Sequence, residues 1–143
     1  MKSHEGDTMF KKIRVFRVKP GRELVSEITD YCRGNNISSA VVIGIIGSVE
    51  SARLNFIEEL PGKYATKKYK GPLEIVCGQG SVALKESQLI IHVHAQLSGK
   101  DVCRGGHLVE AKIFSTAEVV IGELDFQVRR YADDYTGLNE LVS

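Results

Sequence analysis

The chain lacks the features of a fibrous, disordered or membrane-spanning protein. It has only 3 prolines in 143 residues, with no internal repeat and no low-complexity tract, which excludes collagen-like and disordered classes. Its longest apolar runs, such as residues 40–46, are too short to cross a bilayer, so no membrane partner is expected. Cysteine is scarce: Cys32, Cys77 and Cys103 are an odd number spread far apart, which is not a disulfide framework. Residues 1–8 are polar and carry no apolar signal core, so the expected compartment is a reducing cytoplasm. A basic excess is also missing. The formal net charge is +1, whereas a dedicated nucleic-acid binder usually carries a clear positive surplus. There is no Arg-Gly-Arg-Pro minor-groove hook and no nucleophile elbow. Gly78-Gln79-Gly80 is not followed by a helical pattern, which argues against a phosphate-cradling loop.

What is present reads as one small domain. Residues 13–18 alternate and are β-branched, which predicts a strand, broken at Lys19-Pro20-Gly21. Over 22–33 the apolar residues Leu24, Val25, Ile28, Tyr31 and Cys32 recur at helical spacing, until Gly34-Asn35-Asn36 ends the segment. Residues 38–46 form a nearly continuous apolar run, the mark of a central strand, continued over 48–57 past Gly44 and Gly47. Further strands are predicted at 64–69, at 73–84 with a bend at Gly78-Gln79-Gly80, and at 89–97. Turns fall at 60–63, 70–72 and 85–88, and 98–106 reads as a Gly-containing loop. Two last strands, 111–121 and 124–131, join at Gly122-Glu123. The expectation is an α+β fold, a mixed but mainly antiparallel sheet with one principal amphipathic helix packed on it. The domain spans 10–132, flanked by a flexible tail at 1–9 and a tail or short helix at 133–143.

The chemistry is concentrated in Ile91-His92-Val93-His94 and Gly105-Gly106-His107-Leu108. On a strand over 89–97, Leu89, Ile91, Val93, Ala95 and Leu97 share one uniformly apolar face. His92 and His94 then project side by side from the other face, with Ile90 and Gln96. His107 follows about a dozen residues on, after a loop that can fold back, and Gly105 and Gly106 suit a tight turn that brings it in. Three neutral imidazoles fit a zinc ion with one position left open, and Gln96 or Glu118 are candidate partners for their ring N–H groups. The plainer alternative is a half-solvated sheet face carrying His92 and His94, with His107 capping a turn. Cys103, four residues before His107, is a further candidate ligand, although a lone cysteine is more often structural. No catalytic residue is assigned.

Lys63, Lys67, Lys68 and Lys70, interleaved with Tyr64 and Tyr69, form a local basic cluster. Such a cluster can grip a phosphate backbone, but lysines on a solvated edge strand also block sheet-to-sheet association. Glu74 between Leu73 and Ile75 faces away from both and reads as a solvent-facing acid.

Gly71-Pro-Leu-Glu-Ile-Val76, Gly80-Ser81-Val82, the His-x-His strand and Gly105-Gly-His-Leu108 together resemble the plants and prokaryotes conserved (PPC) domain. Gly47-Ser48-Val49 and Arg53-Leu54 match its earlier part, so the similarity runs from about Phe10 to Tyr131. The resemblance implies a homotrimer. It also implies DNA association or a regulatory role, because plant members join AT-hook motifs and prokaryotic members are described as DNA-binding. All three histidines are present and the hook is absent, which points to the stand-alone prokaryotic type with a zinc site at His92, His94 and His107. A neighbouring subunit would line the pocket through Arg53 or Glu74, and these join Gly105 and Gly106 as candidate ligand-binding residues. The reading is of a non-enzymatic protein. A zinc-dependent enzyme or small-molecule sensor, with Glu74 or Glu118 as general base, is the alternative.

Overall fold

The computed structural model describes residues 10–142, so the expected tail at 1–9 lies outside the described residues. Strand β1 (Lys12–Val18) leads into the one α-helix among them, α1 (Leu24–Gly34). The helix buries Leu24, Ile28 and Cys32, spaced four apart, and so presents one apolar stripe to the sheet. Tyr31 stacks on Phe16 of β1 with ring centroids 3.8 Å apart. The cap is Glu23, an unusual residue there. Its carboxylate accepts from Val25 N at 3.0 Å, Ser26 N at 2.7 Å and, across the sheet, Ala111 N at 2.9 Å. One side chain thereby caps the helix and ties it to the sheet.

Four long strands follow: β2 (Ala40–Glu59), β3 (Lys63–Lys85), β4 (Gln88–Ser98) and β5 (Cys103–Glu123). β2 pairs with β3 and β5, and β4 also pairs with β3 and β5, all antiparallel, so the four close into a ring. β1 joins the C-terminal half of β5. Inside lie Val42, Ile45, Leu54, Val82, Val93, Leu97, Ile113 and Ile121, each 1% exposed or less. No helix among the described residues is long and apolar enough to cross a membrane.

The sheet departs from expectation in several ways. It is antiparallel in every strand pairing rather than mixed; the parallel contact is an isolated bridge between Leu84 and Arg129. One short helix against this much strand makes the fold richer in sheet than the α+β expectation. β3 continues through Lys70-Gly71-Pro72, because pairing with β2 holds Lys70 opposite Ser51 and Leu73 opposite Val49 across a register shift. The predicted loop at 98–106 shrinks to 99–102, and β5 already includes Gly105, Gly106 and His107. Residues 124–129 form no strand; β5 ends at Glu123, and the chain crosses β2 and β3 with Leu124 N bonded to Ser39 O and Leu84 N to Val128 O. The last described residues form a hairpin of β6 (Arg130–Ala132) and β7 (Asn139–Leu141) instead of a tail or helix.

Candidate metal centre

Strand alternation and register assemble the site. In β4, Val93, Ala95 and Leu97 are buried, which turns His92 and His94 to the opposite, outer face of the ring. His94 lies directly opposite His107 of β5, and His107 in turn lies opposite Asn55 of β2. The three imidazoles therefore come from two adjacent strands rather than from a strand and a turn. Their ring centroids are 5.0–5.6 Å apart, and one nitrogen from each lies within 4.8 Å of the others. The rings form one wall of a cavity of about 420 Å³ whose other walls include Asn55, Tyr64, Arg130 and Glu140.

Gly106 sits between the histidine pair and β2. A Cβ there would meet Asn55 O at 3.0 Å and the Phe56 ring at 3.1 Å, so the small residue lets β5 approach β2 beside His107. Gly105 has ordinary space around it. Neither glycine makes the tight turn expected of it, because both lie within strand β5.

Electrostatics keep two of the rings neutral. Burial, with Arg130 and the other two histidines beside it, lowers the His92 pKa to about 4. Burial, with His94 and Arg130, also lowers that of His107. At neutral pH both rings carry a free lone pair, the form that binds a cation. Arg130 Nη2 donates to His92 Nδ1 at 3.1 Å, and since arginine cannot accept, that nitrogen is the unprotonated one.

The remaining candidates are dispersed. Gln96 donates from Nε2 to Cys103 Sγ at 3.1 Å and its Oε1 lies 4.0 Å from Cys77 Sγ, so its amide is occupied away from the imidazoles. Cys103 opposes Ser98 and stands outside the imidazole group. Cys77 and Cys103 pair on opposite sides of β4, about 10 Å apart by strand spacing, too far for a disulfide. Glu74 is exposed and faces Ser98, four residues along β4 from His94 and roughly 13 Å away. Glu118 is eleven residues along β5 from His107, roughly 35 Å, and opposes Arg17. Arg53, two residues from Asn55 on the outer face, pairs with Glu110 at 3.4 Å. Arg130 and Glu140, the charged residues that do line the cavity, were not among the candidates. A signal for Arg130 existed: along 124–131 it shares alternation with Leu124, Phe126 and Val128, a charge on an otherwise apolar face.

The Plants and Prokaryotes Conserved (PCC) domain, also abbreviated PPC, matches residues 6–125. The chain belongs to the PPC family. A metal-containing protein from Archaeoglobus fulgidus has the same fold with TM-score 0.89, 29% identity and full coverage of both chains. A candidate DNA-binding protein from Bacteroides thetaiotaomicron superposes with TM-score 0.86 at 22% identity, over 93% of this chain and 95% of its own, a likeness of fold. The bifunctional protein GlmU of Synechococcus sp. (strain JA-3-3Ab) is 28% identical over 90% of this PPC chain, but over 20% of its own length. The chain thus spans about a fifth of the curated relatives it matches.

Proposed function

We propose that this PPC chain is a homotrimeric, ligand-responsive regulatory protein built on a divalent-metal site at His92, His94 and His107. The convergence of three imidazole nitrogens within 4.8 Å at a cavity wall carries this reading. Tetrahedral zinc needs nitrogens about 3.3 Å apart, so the rings would have to turn inward to close on it, and three nitrogen donors select zinc over the hard, oxygen-seeking cations. Bound zinc would supply a Lewis acid with one coordination position open to a ligand. His94 and His107 would hold it across the β4–β5 pair, and His92 would complete the set once Arg130 releases its Nδ1. That release follows from valence. A metal on Nδ1 takes the lone pair that Arg130 uses, and a metal on Nε2 moves the ring proton to Nδ1, against the Arg130 N–H. The metal-containing relative, 29% identical, supports the reading.

Trimer formation is supported by an apolar outer face. Val15 of β1 opposes Val120 of β5, and Ile43 and Ile46 follow on β2; Val15 is 69% and Ile46 55% exposed. Free, exposed thiols at Cys77 and Cys103 fit a reducing, cytoplasmic compartment. DNA association enters through the name of the Bacteroides protein and the exposed Lys67, Lys68 and Lys70 of β3. The edge of β3 at these lysines away from β2 has no strand pairing among the described residues, which equally suits a blocked edge. A second reading, zinc-dependent catalysis, is favoured by one residue: Glu140 sets a carboxylate, a residue type that serves as general base, on the wall of the same cavity.

The test is elemental analysis of protein loaded with zinc and dialysed. Stoichiometric zinc in the wild type, lost in His92→Ala and His94→Ala, is expected. Metal-free wild type would end the proposal. A mobility shift on duplex DNA at low salt, weakening steeply with added salt, tests the DNA arm.

A further inference from the structure

Arg130 is a buried charge without a counter-ion contact. It is 4% exposed, and its hydrogen bonds all go to neutral partners: Asn139 O at 2.9 Å, Ser81 Oγ at 2.9 Å and His92 Nδ1 at 3.1 Å. Its Nε is buried with no partner at all. A guanidinium stays protonated, and a buried cation is costly unless a negative group meets it. Glu140 acts on Arg130 through space but makes no ion pair with it, and Arg130 lines the cavity beside the three imidazoles, so a negative group in direct contact has room to come from outside the chain.

The cavity walls narrow the chemistry of that group. Ile57, Ile90 and Leu138 add apolar lining beside the polar groups. Glu140 already places one acid on the wall, so a dianion would meet about twice the repulsion that a single negative charge meets. A planar guanidinium edge matches a carboxylate better than a spherical ion. About 420 Å³ holds a molecule of only modest size. We infer that this cavity binds a small monocarboxylate with a short apolar body, its carboxylate held by Arg130. The inference rests on the ligand-responsive half of the proposed function and stands apart from the metal half.

The two halves are nonetheless coupled. Metal on His92 ends the Arg130–His92 hydrogen bond by either ring nitrogen, which frees Nη2 to meet the carboxylate. Zinc loading therefore tightens carboxylate binding through Arg130 as well as through the open coordination position.

The experiment is calorimetric titration of butyrate into the full chain at about pH 8.5, chelator-treated and zinc-loaded, with inorganic phosphate, mainly dianionic at that pH, as the control. Butyrate is expected to bind both forms, more tightly with zinc, and phosphate more weakly than butyrate. Arg130→Gln should weaken butyrate about tenfold or more in both forms, the loss of a charge-assisted hydrogen bond. Because Arg130 also braces β7 and Ser81, Glu140→Gln serves as a second variant that leaves the guanidinium in place. It should tighten butyrate and relieve the discrimination against phosphate. Absence of butyrate binding to a chain that retains zinc overturns this inference and leaves the metal site standing. Binding to a chain that takes up no zinc supports it while ending the metal reading. Butyrate binding only with zinc, unchanged in Arg130→Gln, shows a carboxylate held by metal alone and overturns the role of Arg130.

Discussion

At the scale of the residue, His92 sits between two claims on one ring. Its Nδ1 takes a hydrogen bond from Arg130, and its position among three imidazoles suits a cation. Burial makes the ring reluctant to protonate, and this has a consequence for stability. An unfolded imidazole titrates near 6.5, native His92 near 4, and His107 is lowered as well. Between those values the native state binds fewer protons than the unfolded one. Stability is therefore complete above pH 6.5 and is lost as pH falls from 6.5 toward 4. Urea midpoints of chelator-treated protein should fall across that window more in the wild type than in His92→Gln; parallel curves would contradict the burial argument. Zinc affinity should decline over the same range as protons compete for the rings. His92 and His94 were legible because alternation alone puts them on one face. Alternation marks Arg130 as a charge on an apolar face, but its place beside His92 was not legible, since that depends on a crossing of 38 residues in sequence that no local pattern encodes.

At the scale of the element, pairing overrode punctuation. Gly-Pro at 71–72 and Gly-Gly at 105–106 read locally as a break and a turn, yet both lie inside long strands with neighbours on the ring. Gly71 and Gly106 serve close approach there. At Gly80 a Cβ would run into the His92 carbonyl, so the residue lets β3 lie against β4 at the site itself. Gly80→Ala is expected to cost about 3 kcal/mol, in the upper range for overpacking, and to weaken zinc binding by moving His92. Thermal denaturation with a parallel zinc titration checks both, and wild-type values in each would refute the contact. Glu23 offers a contrast. Glu23→Ala removes a helix cap and a tie to Ala111 N, an expected loss of about 1–2 kcal/mol, and should leave zinc affinity unchanged. The helix itself was legible from its stripe, but its start was read two residues early because glutamate is a poor cap signal.

At the scale of the whole molecule, closure of the ring brings the site together. The β4–β5 pairing spans only 94–98 and 103–107, yet it sets His107 opposite His94 and joins the two ends of the sheet. The sequence pattern marks 89–97 as a strand but reads 98–106 as a loop, because the pairing and register that extend β5 back to Cys103 are long-range properties. The β1–β5–β2 outer face exposes Ile13, Val15, Ile43 and Ile46 around the Arg17–Glu118 pair. Ile46→Lys should shift the assembly toward monomer in sedimentation velocity without unfolding it; an unchanged trimer, or a monomeric wild type, would remove that face as the interface. The central claim is that these three histidines, and no thiol, hold the metal. Zinc-edge X-ray absorption on the loaded protein tests it most directly. The account predicts a first shell of nitrogen and oxygen near 2.0–2.1 Å with imidazole scattering behind it; a sulfur shell near 2.3 Å would contradict it and transfer the site to the cysteines.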